Sequence, residues 1–217
     1  MGQDKLLGLQ VLRALAAFIV LVGHVQYEAL TMAKGAGVDF AYQAYPNNVG
    51  VDIFFVISGF VIVYASQKLM GKGGAFGQFM LRRFLRIAPI YWFYTSLLAV
   101  TILVLPGAAQ VATFDLWHLA QSYLFIPHVR PLGDAVRPLL SLGWSLNYEM
   151  YFYLIFGALL FLPLKRLIVV MATYFLLSVG LGAILMPENA ILAFWLNPIV
   201  LEFLCGADRK STRLNSS

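Results

Sequence analysis

Five ionisable residues stand in stretches that otherwise avoid charge. Arg13 and His24 lie in LQVLRALAAFIVLVGH, Asp52 in GVDIFFVISGF, Glu149 in SLGWSLNYEMYFY and Glu202 in LEFLCG. An ionised group in a membrane-spanning helix costs about 2.5–3.5 kcal/mol on insertion scales, so each is either one partner of an interhelical polar contact or part of a functional site. Arg13 and His24 are eleven positions apart. At about 100° per residue this returns to nearly the same helix face, with roughly 16 Å of rise between them. One face therefore carries a cation at one end and a titratable base towards the other. A histidine beside a carboxylate can act as a general base whose tautomer and charge are set by the acid. A second cluster, Arg82, Arg83 and Arg86, has the guanidinium forks that suit phosphate groups. The same cluster also serves as an orientation signal and a contact for lipid headgroups.

The elements that must position these residues are membrane helices. The chain has 217 residues, of which 61% are hydrophobic and only 12% charged. A soluble domain has about 45–50% apolar and about 25% charged residues. This composition excludes a soluble enzyme, a disordered chain and a nucleic-acid-binding domain, so the net charge of +5 has to be read by position. A span takes about 20 mostly apolar residues. Segments of that kind fall at 9–29, 49–66, 86–105, 143–162 and 166–186, and a sixth, shorter one begins near Ile191. All of the basic residues except Lys34, Arg130 and Arg137 fall at the termini or in alternate connections, which places the N-terminus in the cytoplasm. The expected fold is an all-α membrane protein: a polytopic helical bundle of five transmembrane helices plus a partial sixth. Counted from the segment ends, His24, Asp52 and Glu149 share a depth in the outer part of the bilayer, within roughly 10 Å of its boundary for the two acids.

The remaining features are weaker. FDLWHLAQSYLFIP (114–127) is too short to span and reads as an amphipathic helix in the interface. His118 and His128 read as interfacial or solvated histidines. Their spacing matches no metal motif, and no metal is expected. Trp144, Tyr148, Tyr151 and Tyr153 read as an aromatic belt at the outer end of the fourth span, where they could also stack on sugar rings. The one cysteine, Cys205, excludes an intrachain disulfide and reads as a small buried hydrophobe. After Gly206 the chain becomes polar, so the membrane domain is assigned to 1–206. Residues 207–217 read as an atypical polar tail, a truncated or spliced end.

Taken together, four blocks resemble the integral-membrane acyltransferase 3 family, especially its exopolysaccharide-type members. They are LQVLRALAAFIVLVGH (9–24), GVDIFFVISGF (50–60), FMLRRFLRIAPIYW (79–92) and SLGWSLNYEMYFY (141–153). Arg13 with ten residues before His24 is similar to the family's first-helix hallmark, Arg83-x-x-Arg86 to its second basic motif, and LEFLCG to its Glu-Phe-hydrophobe-Gly pattern. The resemblance implies transfer of an acyl group, commonly acetyl from acetyl-CoA as co-substrate with no bound cofactor, to a hydroxyl of an extracytoplasmic polysaccharide or lipid-linked sugar. It implies His24, Glu149 and Asp52 as catalytic residues and Arg13, Arg82, Arg83 and Arg86 as donor-binding residues. Trp144, Ser145, Asn147 and Tyr148 would bind the acceptor. The expected partners are the lipid bilayer, acyl-CoA and the glycan, with no nucleic acid, in a multi-pass protein of the inner membrane. Family members usually have about ten helices, so the resemblance also implies either a piece of a longer protein or a departure from the family pattern. The rival readings are a transporter or flippase component, whose intramembrane charges relay protons, and an inactive fragment of the acyltransferase.

Overall fold

The computed structural model describes residues 3–38, 48–105, 113–131 and 135–214. Of the sequence features above, parts of the connections 30–48 and 106–142 and the last three residues of the polar tail lie outside the described residues. The described chain is helical: α1 (Gln3–Gly35), α2 (Asn48–Ser66), α3 (Ala75–Val104), α4 (Leu116–Tyr123), α5 (Trp144–Ala158), α6 (Leu164–Leu185), α7 (Ala190–Trp195) and α8 (Val200–Leu214). A short 3-10 turn, Ser141–Gly143, precedes α5. Five stretches are long and apolar enough to cross a membrane: Leu7–Tyr27, Val49–Ser66, Ala75–Val104, Leu164–Leu185 and Ala190–Ala207. The protein is a polytopic helical membrane protein. It divides into two compact units, one formed by residues 1–64 with 202–217 and the other by residues 65–201.

In the first unit, α2 and α8 run parallel at very close range. Gly59 lies against the backbone carbonyl of Phe203, and Gly206 lies reciprocally against that of Val56, so a Cβ at either position would overlap a main-chain oxygen. Phe55 stacks on Phe203 with ring centres 4.4 Å apart. Small residues at a helix crossing let the backbones touch, which is how helices associate without a hydrophobic driving force between them. Parallel packing is what segments two and six of an up-and-down chain require. Gly50 provides a second close approach, where a Cβ would come 2.9 Å from the Ala16 carbonyl oxygen on α1.

In the second unit, α3 and α5 pack antiparallel with a readable register. Gly157 lies against Phe76 and Phe79, Phe79 packs on Phe156 and Tyr153, Arg83 packs on Tyr153, and Gly143 lies on Tyr91. Helix α5 is completed by α6 and α7: Phe152 stacks on Phe175, and Tyr148 stacks on Phe194 with centres 3.9 Å apart.

Three expectations change. The fourth segment is a helix only over Trp144–Ala158, because residues 113–131 and 135–143 fold beside α3 and let α5 begin at the level of Tyr91. The sixth is broken: Asn197 and Pro198 separate α7 from α8, since proline lacks the N–H that a continuous helix needs. Helix α8 then carries on through Leu214, so the polar tail is mostly helical. Cys205 is exposed, not buried, because Phe203, Gly206 and Ala207 occupy the buried face of α8.

Gly59→Ala should destabilise the protein by about 3 kcal/mol or more, since backbone must move to admit the methyl group. Gly180→Ala on α6, where a Cβ meets nothing within 4 Å, should be neutral or stabilising by about 0.5–1 kcal/mol. Thermal midpoints of the two variants in one detergent give the comparison.

Candidate functional site

The second unit brings part of the predicted set together. Arg83 is buried, and its guanidinium carbon lies 5.5 Å from the ring centre of Phe79 and 5.7 Å from that of Tyr153. The Tyr153 hydroxyl donates to Oε1 of Glu149, one turn away on α5. Arg83 is also within electrostatic reach of Glu149 and Arg86. A buried arginine packed beside two aromatic rings, with a carboxylate nearby, is satisfied by cation–π and charge interactions. This fixes its plane and takes it out of the set free to grip a ligand. Arg82 and Arg86 on the same helix end are exposed. The three arginines therefore divide into one locked residue and two available ones. Sequence reading treated them alike and placed Tyr153 in the outer belt, whereas the structure buries it as the link between Arg83 and Glu149.

The register also relocates Glu149. The α3–α5 pairs put it level with Arg86, towards the basic end of α3, and not near the opposite boundary where counting from the start of a full span had placed it. Of the remaining residues in its block, Trp144 receives Arg137 over its ring at 4.6 Å, and Ser145 donates to the Leu142 carbonyl. Asn147 and Tyr148 are buried, so two of the four expected acceptor contacts face the protein interior.

In the first unit, Arg13 is half-buried and His24 exposed on α1. Gly50 contacts α1 at Ala16 and Val20, so Arg13 lies about one turn before the contact and His24 about one turn beyond it. Asp52 continues down α2 from Gly50, at the level of Ala16. Its side chain meets Glu202 of α8, with which it shares a hydrogen bond. The expected common depth of Asp52 and His24 is therefore replaced by an Asp52–Glu202 pair at the α2–α8 contact.

The structure also reveals polar groups that sequence reading passed over. His118 and His128 are buried, at 4% and 5% exposure, with ring centres 4.3 Å apart in an edge-to-face arrangement. Helix α4 is inside out. Its polar His118 and Ser122 face the protein, while Leu116 and Trp117 are 72% and 71% exposed. Asp115 caps the helix by accepting from the His118 N–H at 2.6 Å. Burial pushes both imidazoles below the ordinary histidine range, against the raising effect of the carbonyls they bond. The i, i+4 pairing of His118 and Ser122 in an otherwise apolar segment was the available signal. Among the described residues there is no group of three or more His, Cys, Asp or Glu that could hold a metal ion.

The acyltransferase-domain profile of the acyltransferase 3 family matches residues 6–207, and the chain belongs to this family. It is 33% identical over 157 residues to the exopolysaccharide production protein ExoZ of Rhizobium meliloti (strain 1021), covering 72% of this chain and 48% of that protein. It is 31% identical over 163 residues to the peptidoglycan O-acetyltransferase OatA of Listeria monocytogenes, covering 71% of this chain and 24% of that protein. The chain thus spans half or less of the relatives it matches. No solved structure matches it significantly.

Tyr153→Phe keeps the ring on Arg83 and removes the bond to Glu149. It should lower stability by about 1 kcal/mol, whereas Arg83→Ala, which leaves a half-buried carboxylate without its cation and an empty slot beside two rings, should lower it several-fold more; thermal midpoints in detergent rank the two. The histidines predict the pH response. Their folded pKa values are depressed, so below about pH 6.5 the unfolded chain takes up protons that the folded chain refuses, and stability falls as pH falls. The thermal midpoint should drop between pH 7.5 and 5.5, and it should drop less when both histidines are replaced by glutamine.

Proposed function

We propose that the chain is the N-terminal part of a membrane-bound O-acyltransferase that moves an acetyl group from acetyl-CoA to a hydroxyl of an extracytoplasmic polysaccharide or lipid-linked sugar. The carrying observation is the family match over residues 6–207, joined to relatives that act in exopolysaccharide production and peptidoglycan O-acetylation. The acceptor oxygen attacks the thioester carbonyl while His24 takes the hydroxyl proton. The C–S bond then breaks and the proton passes to the departing CoA sulfur. Arg82 and Arg86 supply the exposed cations for the CoA phosphates, and Arg13 lies on the His24 face of α1. Arg83 serves by locking α3 to α5 through Tyr153 and Glu149. Asp52 acts through its bond to Glu202, which fixes the end of α2 nearest α1. On this reading the N-terminus and the arginine end of α3 are cytoplasmic, in the inner membrane, following the distribution of basic residues.

The test uses membranes carrying the full-length protein, acetyl-CoA labelled in its acetyl group, and isolated cell-envelope glycan. Label should appear covalently on the glycan. His24→Ala should reduce the transfer by at least about 100-fold with insertion unchanged, and Arg82→Ala with Arg86→Ala should raise the KM for acetyl-CoA more than it lowers kcat. Undiminished transfer by the His24 variant removes the assignment of the base. Unlabelled glycan that crosses the membrane intact would instead make the protein a transporter component.

A further inference from the structure

The segment between α3 and α5 is a re-entrant hairpin. Helix α4 starts beside the far end of α3, where Leu119 packs on Ala99, Ile102 and Leu139. It descends until Trp92 donates its indole N–H to the Tyr123 carbonyl at 2.9 Å, and Phe125 reaches Tyr91, with ring centres 5.0 Å apart. The chain then turns back through the Val129–Val136 bridge and the Arg130 N–H to Ala135 carbonyl bond. It descends a second time from Leu139 to Gly143 on Tyr91. From Ile102 to Tyr91 is about 16 Å along α3, roughly half of the hydrocarbon thickness. Irregular backbone at such depth is tolerated where it is buried in protein or lines a polar cavity.

The polar interior of this hairpin has unmet hydrogen-bonding capacity. A ring nitrogen of His118, Nε2, bonds the Arg137 carbonyl at 3.1 Å, and Nδ1 of His128 bonds the Ile126 carbonyl at 2.8 Å. A carbonyl only accepts, so each of these nitrogens carries the hydrogen. In the neutral rings the other nitrogens, His118 Nδ1 and His128 Nε2, are then lone-pair acceptors, and both are buried without a hydrogen-bond partner. Oδ1 of Asn147 on α5 is buried and unpartnered as well. Polar groups left so at these depths call for an explanation, because each forfeits a hydrogen bond. A cation is a poor answer. The described residues offer no third ligand, and among the described residues of the segment Arg130, bonded to Ser141, and Arg137, over Trp144, stand against one carboxylate, that of Asp115. Neutral hydroxyl groups, which donate to imidazole lone pairs, match the set in polarity.

We propose that residues 116–131 and 135–143 hold a hydroxyl-recognition site, in which His118 Nδ1 and His128 Nε2 accept hydrogen bonds from the hydroxyls of the sugar acceptor. This rests on the acyltransferase reading and gives its acceptor side a location that the SLGWSLNYE block alone did not. The two histidines are binding and positioning residues.

The test is nitrogen NMR of the full-length protein labelled with 15N-histidine, in nanodiscs, titrated with the methyl glycosides of glucose, galactose and mannose. His118→Gln and His128→Gln assign the resonances. At least one glycoside should shift both unprotonated nitrogens, saturably, towards their hydrogen-bonded positions, whereas its fully O-methylated form should not. His118→Phe or His128→Phe should weaken that glycoside's Kd at least about tenfold, and the glutamine variants, which keep an acceptor oxygen, should stay within about threefold of the parent. Silence towards all three glycosides, an equal response to the O-methylated sugar, or a response to Zn2+ alone overturns the proposal. Labelled-acetyl transfer separates the two readings. Transfer with silent histidines removes only this site, and glycoside-responsive histidines without transfer remove only the acyltransferase reading.

Discussion

In a bilayer the costly arrangement is a polar group that faces lipid, and the second unit is organised around avoiding it. Arg83 illustrates the rule most directly. Its charge is turned towards α5, packed beside the rings of Phe79 and Tyr153 and set within reach of Glu149. Helix α4 obeys the same rule with its whole surface, placing His118 and Ser122 inward and Leu116 and Trp117 outward. This reverses the arrangement of a water-soluble helix. Ser122 shows how closely the inward face is used: its hydroxyl donates to the His118 carbonyl and accepts from the Leu139 N–H, so one side chain ties both arms of the hairpin.

Helix α3 acts as the ruler for that unit. At 30 residues it is about 45 Å long, enough to cross the hydrocarbon with length to spare, and both α4 and α5 are placed against it. Helix α5 covers only the half nearer the arginines, and the hairpin covers the other half. Proline at position 89, inside α3, falls near the junction of the two. Short α5 and deep hairpin are therefore one feature: a spanning α5 would fill the space that the hairpin occupies. Gly143 sits where they meet, and a Cβ there would come 2.5 Å from the Tyr91 ring.

Much of this was legible in the sequence because hydropathy and charge distribution report directly on burial in lipid. The spans of α1, α2 and α6 came out near their true positions, whereas α3 begins at Ala75, well before the expected start at 86. What was lost has specific causes. LQVLRALAAF and LNYEMYFYLI are equally apolar, and nothing in composition says that the second stops short and is preceded by a re-entrant turn. The break at Asn197–Pro198 was visible as a dipeptide signal, yet a hydropathy window averages through it. Depth was misjudged for Glu149 and Asp52 because it was counted from helix ends, whereas packing against a longer neighbour sets it. Cys205 could have been placed correctly: Phe203, Gly206 and Ala207 mark the packed face of α8 at helical spacing, and Cys205 falls off it.

The division among the arginines follows from geometry more than from charge. Arg82, Arg83 and Arg86 span barely more than one turn, and at 100° per residue Arg82 and Arg83 diverge while Arg83 and Arg86 lie on neighbouring faces. Only one of the three can point at α5, and the α3–α5 register chooses Arg83 because that position meets Tyr153. Lysine would supply the same charge there without the flat guanidinium that packs against the two rings. Once Arg83 is held, the backbone that carries Arg82 and Arg86 is held too, so two exposed cations are presented from a rigid turn. A motif that looks in sequence like three equivalent phosphate contacts is, in the fold, one anchor that pre-organises two.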